Sequence, residues 1–168
     1  TQNPLEQAGV YELPEAQKDR FLFKIVISYP SMDEEKMILD SNISLRKFEE
    51  YDLRPVVTPE QIIKLQQLTQ KIYASKDIQD YIVRIVEATR NPDKYNLKLG
   101  KYIEWGSSPR ASIGLYIGSK ADALLQGNDF VTPQNVKNVA YEVLRHRILL
   151  NYEGQAEKIK SEDIISEI

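Results

Sequence analysis

The chain has 168 residues, 42 % of them apolar and 28 % charged, with a formal net charge of −3, which sets it among folded globular proteins and away from disordered chains and from strongly basic nucleic-acid binders. It has no cysteine and one histidine, His146, so a disulfide framework, a thiolate metal site and a cysteine nucleophile are excluded, and zinc would need carboxylates beside a lone imidazole. No apolar run approaches the roughly 20 residues that cross a bilayer and Thr1-Gln2-Asn3-Pro4 is no leader segment, so the sequence reads as cytoplasmic, without a membrane or a nucleic acid as partner, and its start without methionine reads as a piece of a longer chain.

Residues 1–20 are rich in Pro, Gly, Asn and acidic groups and lead into Phe21-Leu22-Phe23-Lys24-Ile25-Val26-Ile27, a run whose β-branched and aromatic content predicts a buried strand. It is the only clear strand signal, so its sheet partners are expected upstream or in another molecule. Pro30 ends the run. Ser31-Met32-Asp33-Glu34 has capping-box spacing and predicts a short helix to about Asp40. Thr58-Pro59-Glu60-Gln61 repeats the start signal, with Pro at the first helical position, and predicts a helix to about Ala74. Ile78, Tyr81, Ile82, Ile85, Val86 and Thr89 share one face of the next helix, the clearest periodicity in the chain.

Asn91-Pro92 breaks that helix, and the stretch to Trp105 reads as irregular. Ser108-Pro109 opens a helix through Ile113, Tyr116, Ile117 and Leu124 that stops at Gly127-Asn128. Thr132-Pro133 opens another, burying Val136, Val139, Ala140, Val143 and Leu144, and Ser161 is a candidate cap for a last short helix. The expected fold class is mainly α: a helical bundle preceded by a loop and one strand.

Among residues that could carry chemistry, Arg110 stands out because it lies in the first turn of a helix. A cation is disfavoured there unless an anion is near, and the guanidinium with the free amides would make a phosphate site. The plainer alternative is a surface arginine paired with an acidic neighbour. Arg20 precedes the apolar run, beside Asp19, and on its own reads as a charge tied to Asp19 or to solvent. Asn3 before Pro4 is by itself a turn residue. Arg147 shares the stripe of Val136, Ala140 and Val143, which predicts a partly buried guanidinium in search of a partner.

Together these segments resemble one family. Thr1-Gln2-Asn3-Pro4, Gly9, Leu13-Pro14-Glu15-Ala16-Gln17 and Asp19-Arg20-Phe21 are similar to the sensor-1 and arginine-finger region of MoxR-type AAA+ ATPases; Gly106-Ser107-Ser108-Pro109-Arg110-Ala111 resembles their sensor 2, and Val131-Thr132-Pro133 with Val143-Leu144-Arg145-His146-Arg147 their closing lid helix. The resemblance implies that residues 1–30 are the end of an α/β AAA+ core, with the run at 21–27 as its last strand, and that residues 31–168 form the helical lid. It implies that Asn3 orients the attacking water, that Arg20 is a catalytic finger reaching a neighbouring subunit's nucleotide, and that Arg110 binds nucleotide as sensor 2, in cis or across the interface. It further implies ATP or ADP with magnesium in the full-length protein, a homo-oligomeric ring, expected to be a hexamer, and chaperone-like remodelling or activation of a client that the sequence does not name.

No Gly-x-x-x-x-Gly-Lys-Ser/Thr stretch occurs in the 168 residues, so this piece alone is expected neither to hydrolyse ATP nor to hold it tightly. The competing reading is a freestanding helical interaction module that uses Arg145, Arg147 and Lys137. A carboxylate hydrolase built on Asp19 and Glu15 is a third, with thin nucleophilic options.

Overall fold

The computed structural model describes residue 1, residues 13–42 and residues 54–168. Asn3 lies outside them. The chain divides into two compact units, one of residues 1–24 and 68–168, the other of residues 25–67.

The smaller unit carries α2 (Met32–Asn42) and most of α3 (Pro59–Lys71). Both helices begin as their sequences require. The Ser31 main-chain amide donates to Glu34 Oε2 at 2.7 Å while the Glu34 amide donates to Ser31 Oγ at 3.4 Å, and Thr58 and Gln61 make the same reciprocal pair at 2.8 and 3.3 Å. Each box satisfies donors that a helix start leaves free. Met37, Leu39 and Ile63 are more than half exposed.

The larger unit is a bundle of α4 (Lys76–Arg90), α5 (Pro109–Leu125) and α6 (Pro133–Leu144), closed by α7 (Tyr152–Ala156) and α8 (Ser161–Glu167), with the single turn α1 (Glu15–Lys18) ahead of it. On α4 the face expected from the sequence is the one buried: Ile78, Ile82, Ile85, Val86 and Thr89. The four apolar ones meet Ala111 and Leu115 of α5, Val136, Val143 and Leu144 of α6 and Ile164 of α8 in one core. Residues 92–105 are more ordered than their sequence suggests. Two 3-10 turns, Pro92–Tyr95 and Lys98–Tyr102, lead into β1 (Ile103–Trp105), which pairs antiparallel with β2 (Leu149–Leu150). At two to three residues each, these strands are too short to leave an alternating pattern in the sequence.

The run Phe21–Ile27 has no ladder partner among the described residues, as expected for a strand whose sheet lies elsewhere. A bend at Phe21 and Leu22 is followed by chain without ladder partners. Strand pairing needs a second backbone, and the described residues offer this run none. Instead, Leu22 and Phe23 lie against α5, where Gly114 and Gly118 leave room for them. A Cβ on Gly114 would stand 3.5 Å from Leu22 Cδ1, and one on Gly118 3.3 Å from Phe23 Cζ. Among the described residues, no helix is long and apolar enough to cross a membrane.

Candidate functional site

Two segments far apart in sequence converge on the carboxylate of Asp19. The first is the start of α5. Ser108 is its N-cap, its Oγ accepting from the Arg110 amide at 3.2 Å, and the same hydroxyl donates to the Asp19 carboxylate, 2.9 and 3.0 Å from its two oxygens. Arg110 Nη1 donates to Asp19 Oδ2 at 3.1 Å. The anion that the sequence asks for at this helix start is therefore met, in the structure, by a carboxylate 91 residues away.

The second segment is the turn after α6. Arg147 Nε donates to Asp19 Oδ1 at 3.1 Å, Nη2 to the carbonyls of Asp19 at 3.0 Å and Phe21 at 2.6 Å, and Nη1 to the carbonyls of Leu22 at 3.2 Å and Val143. Its side chain is 2 % exposed. Every donor of the fork is used, which is how a guanidinium is tolerated in an interior. Its two neighbours hold the same segment. His146 Nε2 lies 3.0 Å from the Phe21 carbonyl and, facing a carbonyl, must carry the proton. Arg145 Nη1 donates to the Lys24 carbonyl at 2.8 Å, and the Lys24 amide donates back to the Glu142 carbonyl at 2.8 Å. Residues 19–24 are thus fastened to the end of α6 mostly through their main chain, with the Asp19 carboxylate as the side chain that takes part.

The loop that leads into α5 is in turn bolted to the last turn of α4. The Ser107 amide donates to Thr89 Oγ1 at 2.9 Å, and Arg90 Nε donates to the Ser107 carbonyl at 2.6 Å. Gly106 is required here, because a Cβ would stand 2.3 Å from the Thr89 carbonyl oxygen.

The electrostatics follow from this packing. Burial by itself would raise the Asp19 pKa, but hydrogen bonds from Ser108, Arg110 and Arg147 outweigh it and hold the carboxyl below its ordinary value. Burial lowers the pKa of His146, which keeps the imidazole neutral against the opposing pull of the Phe21 carbonyl. Burial also lowers that of Arg147, countered by Asp19.

Of the residues singled out in the sequence, Arg110 and Arg147 come together on Asp19. Arg20 does not join them. Although it follows Asp19 directly, its side chain is exposed and makes no hydrogen bond or ion pair among the described residues. Asp19 is the residue that sequence reasoning undervalued, as a neighbour for Arg20. The available signal was indirect: a buried arginine and a cation at a helix start both demand an acceptor, without saying which. Of the three residues that an interaction module would use, Arg145, Arg147 and Lys137, the two arginines are turned inward, with side chains only 11 % and 2 % exposed.

Comparison with known proteins gives this geometry its context. Residues 99–168 match the model for the AAA lid domain, and residues 1–23 that for the ATPase family associated with various cellular activities. The chain is 39 % identical to Chaperone MoxR1 of Mycobacterium tuberculosis, an alignment covering all of this chain and 44 % of that protein. To the Bacillus subtilis protein YeaC it is 41 % identical, again over its whole length and over 49 % of the relative. A crystal structure of a Cytophaga hutchinsonii protein superposes with a TM-score of 0.88 at 39 % identity, over 98 % of this chain and 50 % of the other. The chain spans about half the length of the curated relatives it matches. With family segments at both ends in the family's order, a lid fold and full-length similarity to MoxR proteins, the chain belongs to the MoxR family of AAA+ ATPases.

Proposed function

We propose that this chain is the sensor and lid part of a ring-forming, ATP-hydrolysing AAA+ protein in which Arg20 and Arg110 address the same nucleotide, held by a neighbouring subunit. Residues 1–30 would close the nucleotide-binding core and residues 31–168 form the lid. The observation that carries this reading is the contrast at Asp19: the carboxylate is fastened by Arg147 and Ser108, while the adjoining Arg20 is exposed and unpaired among the described residues and the exposed Arg110 is held by a single bond. A fastened backbone that presents one unpaired guanidinium and one held by a single exposed bond suits the transfer of a phosphoryl group, whose transition state spreads negative charge over equatorial oxygens.

The residues present fit a phosphate. The Asp19 carboxylate is outnumbered by the guanidinia of Arg110 and Arg147, so the cluster keeps a positive excess, and Arg110 has donors to spare. They do not fit magnesium, since no three His, Cys, Asp or Glu side chains converge among the described residues; the metal would be held by the remainder of the protein. When bound, ATP supplies the phosphoryl group whose hydrolysis drives the ring, and the output would be chaperone-like remodelling of a client. Sensor 1 would fall to Asn3.

The test is Arg20→Ala in the full-length protein. Turnover should fall on the order of 10³-fold, as for a true finger, while the melting temperature stays where it was. Mixing these subunits with subunits defective only in the phosphate loop should restore part of the activity, since some interfaces then join an intact site to an intact arginine. Full turnover by the Ala variant overturns the assignment.

A further inference from the structure

We infer that Asp19 is an exchangeable counter-ion for Arg110: it holds the guanidinium while no nucleotide is bound and gives it up to a phosphate, keeping its other partners. The inference rests on the reading of Arg110 as a phosphate-binding residue and adds a competitor for it from within the chain.

The geometry makes the two arginines on Asp19 unequal. Arg147 is 2 % exposed in its side chain and donates to five acceptors, the Asp19 carboxylate and four carbonyls, so it has nowhere to go. Arg110 is 57 % exposed and makes one side-chain hydrogen bond, from Nη1 to Oδ2. Only that bond can open at small cost. Once it opens, Asp19 is still served by the Ser108 hydroxyl and by Arg147 Nε, so no buried charge is stranded, and stranding is what makes breaking an ion pair expensive. Nor does the start of α5 unravel. The Arg110 amide is capped by Ser108 Oγ at 3.2 Å through a contact that does not involve the guanidinium.

An exposed pair of this kind is weak, so the competitor tunes affinity and does not block it. Its consequence is directional. Removing the charge of Asp19 should tighten nucleotide binding, provided that Arg110 is present to benefit. A residue that merely supported the fold would do the reverse, loosening the site whether or not Arg110 is there.

The experiment measures the dissociation constant of a fluorescent ATP analogue for the full-length protein carrying Asp19→Asn, Arg110→Ala or both, at low ionic strength. Asp19→Asn should bind about three- to five-fold tighter than the parent, and the same change on the Arg110→Ala background should have no effect. Unchanged or weaker binding by Asp19→Asn with Arg110 intact overturns the inference, and so does an equal effect on both backgrounds. If Asp19→Asn does not fold, Ser108→Ala takes its place. It strips one of the partners that Asp19 retains after release, so it should weaken binding about two- to three-fold with Arg110 present and not without it; equal weakening on both backgrounds overturns the inference. A parent protein that binds no nucleotide sinks the ATPase reading itself, an outcome distinct from a parent that binds while the cycle shows no coupling.

Discussion

Arg147 Nε and Asp19 Oδ1 stand 3.1 Å apart across 128 residues of sequence, and the same guanidinium also bonds the carbonyls of Asp19, Phe21 and Leu22. One side chain therefore ties the segment 19–22 to the end of α6. Arg147→Ala should destabilise the chain by about 3–5 kcal/mol, because it strands a carboxylate and several carbonyls whose donors are gone. Arg147→Lys should recover only part of this, since an ammonium cannot span acceptors arranged around a planar fork. Urea unfolding of the 168-residue chain measures both.

Arg20 and Arg110 should behave in the opposite way. Arg20→Ala should leave the urea midpoint unchanged, as its side chain has no partner among the described residues, and Arg110→Ala should cost no more than about 1 kcal/mol for a largely exposed pair. If either loss matches that of Arg147→Ala, the residue is part of the scaffold.

Gly106→Ala should cost about 1–3 kcal/mol, because the new methyl meets main chain and no movable side chain: the Thr89 carbonyl oxygen would stand 2.3 Å away. Relief would require the loop to lift off α4, breaking the bond between the Ser107 amide and Thr89 Oγ1. The unfolding midpoint reads the first effect. Loss of hydrogen-exchange protection at the Ser107 amide reads the second.

Two groups give stability a pH dependence of the same sign. His146 is held neutral, with its pKa below the ordinary value, so its contribution is complete above about pH 6.5 and is lost as pH falls through the depressed pKa, where the unfolded chain takes the proton first. Asp19 is also depressed; its contribution is complete above about pH 4 and disappears as pH falls through the folded value. Stability should therefore begin to decline below about pH 6.5 and decline further in the carboxylate range. His146→Gln should flatten the first decline alone, as seen in urea midpoints taken from pH 7.5 to pH 4.

The 168 residues by themselves should turn over no ATP, since they contain no phosphate loop and an arginine at a helix start cannot replace the loop and metal that align a nucleotide. Phosphate release above that of an Arg110→Ala control would contradict this.

What the sequence made legible were features whose causes are local. Helix starts at Ser31, Thr58, Ser108 and Thr132 follow from a side chain bonding an amide two or three residues on, and all four are found. The buried face of α4 follows from its periodicity. Arg147 could be suspected of burial because it continues the apolar stripe of α6. What was not legible has the opposite origin. Phe21–Ile27 has the composition of a strand, but a ladder is made by a neighbour, and the packing of Leu22 and Phe23 on α5, where two glycines accept them, leaves no local signal. Asp19 could not be picked out because its partners, Ser108, Arg110 and Arg147, lie 89 to 128 residues away, beyond any local pattern.

The attachment of the Gly106–Ser108 loop to the last turn of α4 turns that helix into a measuring rod. Where α5 begins, and so where Arg110 points, is set by the end of α4 and not by the loop, which is held by main-chain atoms. One residue added to or removed from 76–90 would advance that end by about 1.5 Å and rotate it by about 100°, carrying Arg110 away from Asp19 without altering any residue that either one touches. The meeting of Arg110 with Asp19 is thus encoded as a length, the 15 residues of α4.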